Sequence, residues 1–130
     1  MNAGRLSSAA LMLSGVAAVV NPRGVAAALH LTADDARGIT ETRAGLGGTY
    51  AALGGWALLS RAPAADAAVG MTWLGAAAAR VATRKVDQPP ATASYWVYLA
   101  VEVGCGTASL ASAITGQRGA RHVPRQSRPA

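Results

Sequence analysis

Four long apolar segments dominate the sequence, and each is close to the length of a helix that crosses a bilayer. They cover residues 3–20, 39–60, 65–84 and 93–115. At about 1.5 Å of rise per residue they extend roughly 27 to 35 Å, against a hydrocarbon core of about 30 Å. Proline-containing breaks separate them, and proline interrupts a helix because it lacks the amide donor. The pattern predicts an all-α fold, a four-helix transmembrane bundle.

The composition favours a membrane protein over a small water-soluble domain. Hydrophobic residues make up 52% of the 130 residues and charged residues 14%, and the mean hydropathy is +0.26. A typical globular chain is about 25% charged, and a small soluble domain with so few charges would expose extensive apolar area. We therefore expect a single transmembrane helical domain over residues 1–115 and a basic, disordered tail over residues 116–130.

The basic charge of the chain is distributed as in a membrane protein. The net charge is +6 and the isoelectric point is near 10.8, but the arginines lie at the ends and junctions of the apolar segments. Such arginines contact anionic lipid head groups, so membrane lipids are the expected partners and nucleic acid is not. The count of Lys and Arg on each side favours cytoplasmic N and C termini for a multi-pass protein of the bacterial inner membrane.

The first segment has a second interpretation, as a cleaved signal peptide. Arg5 would be its basic region, and small residues lie at Ala26-Ala27-Ala28, after a short apolar core. At about 27 Å it is also the shortest of the four segments. We favour a retained span, because the other segments make a membrane protein in either case.

Charges within the apolar segments define a candidate site. Its five residues are Glu41, Arg43, Arg80, Tyr98 and Glu102. The helical rise places Glu102 near mid-bilayer and all four charges in the same half of the bundle, away from the termini. An unpaired charge at mid-bilayer costs about 2.5–3.5 kcal/mol, so Glu102 is expected to be paired, protonated or turned to the interior. The set is either an intramembrane ion pair that fixes helix register, or a ligand-binding or proton-handling site.

Helical spacing predicts a polar pocket around these charges. One stripe of the fourth segment carries Tyr95, Tyr98, Glu102, Cys105, Ser109 and Ser112. A stripe of the second segment carries Arg43, Gly47, Tyr50 and Gly54. Facing each other, the two stripes would outline a pocket that opens away from the termini. Gly47, Ala51 and Gly55 also form a series of small residues that favours close helix packing.

Motifs of soluble enzymes and of metal sites are missing. Residues 45–50, Gly-Leu-Gly-Gly-Thr-Tyr, resemble a dinucleotide-binding loop but carry Tyr in place of the third glycine and follow no predicted strand. His30 and His122 lack the spacing of metal ligands, and Cys105 is interpreted as a small buried apolar side chain. The sequence predicts no catalytic residue, no cofactor and no metal, which favours a non-enzymatic protein.

A longer pattern resembles a known family. Glu41-x-Arg43 followed by Gly47-Gly48, then Arg80, Asp87-x-Pro89 and Glu102, is similar to the bacterial domain-of-unknown-function family forty-three forty-five, over roughly residues 6–112. The resemblance implies a four-helix inner-membrane protein, distantly similar in architecture to the DoxX-like small membrane proteins. It implies no established reaction.

Three functions are compatible with these observations. The leading hypothesis is an accessory subunit of a larger membrane complex or homo-oligomer, or a component that binds a lipid or another small ligand. The first alternative is an oligomeric small transporter; small multidrug exporters resemble the chain in size, but carry their essential Glu in the first helix, where this chain has no carboxylate. The second alternative is a membrane redox-associated protein, which would need ligands such as paired histidines within the spans.

Overall fold

The computed structural model describes residues 2–121, with side chains as far as Gln117. The elements are α1 (Ala3–Val20), α2 (Pro22–Ala28), α3 (Ala36–Glu41), a π-helix (Thr42–Gly48), α4 (Thr49–Ser60), α5 (Pro63–Asp87) and α6 (Ala93–Arg121). Every regular element in this part of the chain is helical, so the fold is all-α, as predicted. Two helices are long and apolar enough to cross a membrane: α1, and α6 over Ala93–Gln117.

Local sequence signals set the helix ends. The Asn2 side chain accepts a hydrogen bond from the Arg5 amide at the start of α1, and Asp35 does the same for Gly38 at the start of α3. Such caps satisfy amides that have no partner within the first helical turn. Proline opens both α2 and α5, at the position where a missing amide has little effect.

The predicted second segment is a continuous helical stretch with an irregular middle. From Ala36 to Ser60, α3, the π-helix and α4 follow one another without a break. The π-helix contains Gly45, Gly47 and Gly48. Glycine weakens a regular α-helix by about 1 kcal/mol per residue. The wider turns of a π-helix therefore form more easily in this stretch than in the neighbouring helices.

The last two helices are longer than the sequence predicts. α5 exceeds the predicted 65–84 at both ends, and α6 continues to Arg121 where a disordered tail is predicted from residue 116. Residues 116–121 of the predicted tail are therefore helical, and residues 122–130 lie outside the described part of the chain. The sequence has no proline between Pro90 and Pro124, and the glycines in that stretch weaken a helix without ending it.

Helix α1 is central to the fold. It contacts α4 and the π-helix on one side, α6 on another, and also α5. Its buried residues recur at helical spacing: Gly4, Ser7, Ser8, Leu11, Gly15 and Ala18. α5 and α6 pair extensively with each other. The chain thus forms two helical hairpins, a first hairpin of residues 3–60 and a second hairpin of residues 63–121.

Glycines bring α1 and the second segment into backbone contact. A Cβ on Gly15 would collide with the backbone of Ala51, and one on Gly54 would collide with the backbone of Met12. The predicted series of small residues is therefore wrong at its third member, because a Cβ on Gly55 would meet only the Met12 sulfur, at 3.9 Å. Gly54 lies on the contact face instead, and this face meets α1, whereas the stripe that includes Gly54 is predicted to face the fourth segment.

The interior of the fold is small and partly polar, and its surface is apolar. The largest fully buried side chains among the described residues are Leu11, Val69, Ser8 and Ser109. Large apolar side chains are exposed on all four long helical stretches, among them Leu13, Val16, Trp56, Leu59, Met71, Val81, Val97, Val101 and Ile114. A water-soluble bundle buries most of its large apolar side chains; here only Leu11 and Val69 of the large apolar side chains described are fully buried, and many others are exposed.

Candidate functional site

A buried ion pair joins α5 to α6. Arg80 donates from Nε to Glu102 Oε2 at 3.0 Å and from Nη2 to Oε1 at 2.6 Å. The Glu102 side chain is 9% exposed and the Arg80 side chain 27%. Two parallel hydrogen bonds between a planar guanidinium and a carboxylate hold both groups in one geometry. Glu102 is therefore paired, and its partner is Arg80.

Two tyrosines of α6 enclose the arginine. The guanidinium carbon of Arg80 lies 5.7 Å from the ring centre of Tyr95 and 5.8 Å from that of Tyr98, within the range of cation–π attraction. The Tyr95 hydroxyl donates to the Arg80 carbonyl at 3.0 Å, and the Tyr98 hydroxyl donates to the Ala28 carbonyl at 3.1 Å. Tyr95 thus fixes the backbone from which Arg80 extends, and Tyr98 ties α6 to the end of α2.

A pocket of about 510 Å³ opens beside the ion pair. Residues of α5, of α6 and of the loop after α2 line it, including His30, Ala76, Ala79, Arg80, Thr83, Tyr95 and Tyr98. Small-molecule sites span about 300–1,000 Å³, so the pocket is large enough for a ligand head group. Arg80 uses Nε and Nη2 for Glu102, and its Nη1 has no hydrogen-bond partner within residues 2–117. The wall therefore offers the Arg80 donor beside apolar and aromatic surface, together with the carboxylate of Asp87.

The structure places Glu41 and Arg43 away from this pocket. Glu41 is exposed and lies 3.9 Å from Arg37, one turn earlier on the same helix. Arg43 donates from Nε to the Val19 carbonyl at 3.1 Å, at the end of α1, where free carbonyls attract cations. The second segment packs mainly on α1, so the pocket predicted between the second and fourth segments forms instead between α5, α6 and the loop after α2.

Polar side chains continue along the inner face of α6. Ser7 Oγ of α1 donates to the Cys105 carbonyl at 2.9 Å, and Ser109 Oγ donates to Ser7 Oγ at 2.8 Å. Further along, Ser112 Oγ donates to Asp66 Oδ2 at 2.9 Å. All six residues of the predicted stripe on the fourth segment are buried or half-buried, but only Tyr95 and Tyr98 line the pocket, and the stripe faces α5 and α1 instead of the second segment.

Comparison with models of protein families assigns the chain to one family. The family model described as "Domain of unknown function (DUF4345)" matches residues 3–112. The chain belongs to this family. The match confirms the family resemblance predicted from the sequence, and it covers both hairpins. No curated protein and no solved structure matches the chain with significance, so the similarity to DoxX-like proteins stays a prediction.

Two side chains of this DUF4345 member contribute more than sequence reasoning assigned to them. Tyr95 lies seven residues before Glu102, a spacing that places both on one face of α6 and that signals a shared site. Asp66 lies in the first turn of α5, where an acid has a local explanation in the helix dipole; only the structure shows its bond to α6. Within residues 2–121, no three His, Cys, Asp or Glu side chains are grouped to hold a metal ion.

Proposed function

We propose that this DUF4345 member is a four-span protein of the bacterial inner membrane, with cytoplasmic termini, that binds a lipid-like amphiphile in the pocket beside Arg80. It acts as a non-enzymatic binding component. The observation that carries the proposal is a pocket with a cationic donor and aromatic walls, set into a helical fold whose surface is apolar.

The exposed apolar side chains support placement in a bilayer. α1 and α6 are long and apolar enough to span it. The second segment is 25 residues long when α3, the π-helix and α4 are taken together, or about 37 Å at the α-helical rise. α5 also has 25 residues; apart from Arg80, which is paired with Glu102, its charges lie near its ends, at Asp66, Arg84, Lys85 and Asp87. Charges at the ends of a span lie among lipid head groups, where they are tolerated.

The contacts of α1 support its retention as a span. Leu11 of α1 is fully buried in the apolar core with Val69, and Ser7 bonds to α6. Cleavage of α1 as a signal peptide would remove the helix against which the second segment, α5 and α6 pack, and it would leave their small inner residues facing a gap.

The pocket walls indicate the chemistry of the ligand. Tyr95 and Tyr98 line the pocket near the start of α6, and aromatic residues collect where head groups meet hydrocarbon. A polar, hydrogen-bond-accepting head would meet Arg80 and Thr83, and an apolar part would lie against Ala76 and Ala79. Because Arg80 neutralises Glu102 within one chain, the site needs no second copy, which favours a binding component over an oligomeric transporter.

Filling the pocket tests the proposal. Ala79 lines it, and Ala78 is a neighbouring exposed residue of α5 that does not. The wild-type protein, Ala79→Leu and Ala78→Leu are extracted from native membranes in polymer nanodiscs, and bound amphiphiles are quantified by mass spectrometry. We expect one amphiphile to accompany the wild type and Ala78→Leu and to be depleted by about tenfold in Ala79→Leu, since a leucine occupies the space of the ligand. Equal recovery from all three proteins would contradict the proposal.

A further inference from the structure

A second pocket lies at the opposite end of the fold, where α1 begins and α4 is followed by α5. Its volume is about 450 Å³, and it is lined by Asn2, Arg5, Ala57, Arg61 and Asp66. The two arginines come from different elements: Arg5 from the first turn of α1, and Arg61 from the two-residue link between the hairpins. No residue of this second pocket belongs to the first.

The second pocket carries more positive than negative charge. Arg5 makes a long hydrogen bond to the Leu58 carbonyl at 3.5 Å, and neither Arg5 nor Arg61 forms an ion pair with a carboxylate within residues 2–117. The one acid of the pocket, Asp66, accepts a hydrogen bond from Ser112. The first turns of α1 and α5 also lie here, and helix N-termini add partial positive charge. Two guanidinium groups therefore face one carboxylate that already has a partner.

Apolar side chains flank the second pocket on the outside. Leu6 follows Arg5 and is 53% exposed; Leu59 lies two residues before Arg61 and is 87% exposed. Trp56, which lies one turn before Leu59 on α4, is also exposed. In a bilayer, the cationic pocket would lie at the level of the lipid head groups and the exposed leucines and tryptophan at the level of the acyl chains. This arrangement matches that of a phospholipid, whose charged head lies at the surface and whose acyl chains lie below.

We propose that the second pocket binds the phosphate of an anionic phospholipid head group through Arg5 and Arg61. A guanidinium matches a phosphate because it donates two parallel, charge-assisted hydrogen bonds, and basic pockets between spanning helices are suited to anionic lipids. The proposal rests on the membrane placement proposed above and is independent of the ligand of the first pocket.

Titration of the full-length protein in detergent with phosphatidylglycerol, followed by native mass spectrometry, tests this site. The variants are Arg61→Gln, the double variant Arg5→Gln/Arg61→Gln, and Arg23→Gln as a control with the same loss of charge, since Arg23 is exposed on α2 and does not line the second pocket. We expect saturable binding that weakens in Arg61→Gln, falls by about tenfold or more in the double variant, and stays within about twofold of wild type in Arg23→Gln. Phosphatidylcholine serves as the lipid with a zwitterionic head group, and we expect it to bind weakly to all four proteins.

Two further outcomes assign the source of the phosphate or overturn the proposal. Competition by millimolar inorganic phosphate, lost in the double variant, would identify free phosphate as the occupant of the same site. Equal phosphatidylglycerol binding by wild type and Arg61→Gln, or an equal loss in Arg23→Gln, would overturn the site. Arg61 is exposed and its side chain holds no other element within the described residues, so Arg61→Gln is expected to fold even if the double variant does not. The amphiphile of the first pocket is scored by its own mass, so the two proposals fail separately.

Discussion

Arg80 has two roles at the scale of single residues. It forms the ion pair with Glu102, whose side chain is 9% exposed, and it also lines the first pocket. Structural pairing and ligand binding, the two interpretations of these charges, both concern this one side chain. Tyr95 and Tyr98 stabilise the cation with their rings.

Separating the two charges is expected to destabilise the protein. Removing one partner of a buried pair costs about 3–5 kcal/mol, because the other charge remains uncompensated. Arg80→Ala should be worse than Glu102→Ala, since Glu102 is the more buried partner and Arg80 can still reach the pocket. The double variant Arg80→Ala/Glu102→Ala should lose less stability than the two single losses added together, because neither charge is left without its partner. Thermal unfolding in detergent, followed by tryptophan fluorescence, measures all of these variants.

Arg43 provides the control for this double variant. Arg43 and Arg80 lie at similar predicted depth, but Arg43 bonds to Val19. Combining Arg43→Ala with Glu102→Ala should therefore add the two losses without compensation. Recovery in that combination would show that Glu102 pairs with Arg43 and would contradict the geometry described here.

The sequence predicted the charged residues better than their partners. Depth along a helix follows from residue number, so Glu102 and its need for a cation were predictable. The choice between Arg43 and Arg80 depends on which helix lies beside α6, and no local signal specifies that neighbour. Of the other predicted site residues, Tyr98 lies beside the pair of Arg80 and Glu102. Glu41 does not, because it lies at the exposed start of the second segment.

At the scale of elements, glycines determine how closely the helices approach. Gly15 and Gly54 bring α1 and α4 into backbone contact. Between α5 and α6, a Cβ on Gly70 or Gly106 would first meet the side chain of Leu110 or Leu74. Small residues are favoured at helix contacts in membranes, because association there depends on close packing rather than on the hydrophobic effect.

Alanine at these contact glycines is expected to weaken the fold. At Gly15 and Gly54 a Cβ would collide with backbone, which cannot move aside, and overpacking of this kind costs about 1–3 kcal/mol. Gly75 and Gly104 have open space around the added Cβ, so alanine there should be neutral or stabilising by up to about 1 kcal/mol. Melting temperatures of the four single variants in one detergent make the comparison. Equal destabilisation at contact and open glycines would contradict the proposed packing.

Helix positions were predictable from the sequence to within a few residues, but the internal geometry of the second segment was not. α1 matches the predicted 3–20, because asparagine lies at each end and proline follows. The π-helix has no comparable signal: its glycines permit wider turns, and tertiary contact with α1 decides whether they form. The extension of α6 was missed because arginines and glycines were interpreted as a disordered tail.

At the scale of the whole molecule, the proposed four spans predict which loops share a side of the membrane. Replacing Cys105 with Ala leaves no native cysteine, and single cysteines are then placed at three exposed positions, Thr32, Ser60 and Ala91. In intact spheroplasts, a membrane-impermeant maleimide should label Thr32→Cys and Ala91→Cys. Ser60→Cys should be labelled only in inverted vesicles, because it lies at the cytoplasmic end of the second span.

If Ser60→Cys and Ala91→Cys are labelled from the same side, the chain does not cross the membrane once between them. That result would contradict a spanning α5. Reversed labelling of all three positions would preserve the four spans and place the termini in the periplasm instead. A permeable maleimide provides the control for each position, since it reports whether the cysteine is reactive at all.

The division into two hairpins has a consequence for the order of synthesis. Arg80 precedes Glu102 by 22 residues in the same hairpin, so the cation is already made when the carboxylate leaves the ribosome. Neutralisation of the carboxylate does not have to wait for the first hairpin to dock. At the contact between the two hairpins, α1 contributes the uncharged hydroxyl of Ser7, which bonds to α6. Both charged partners therefore lie within a single hairpin, and the hydrogen bonds that Ser7 makes to the other hairpin are uncharged.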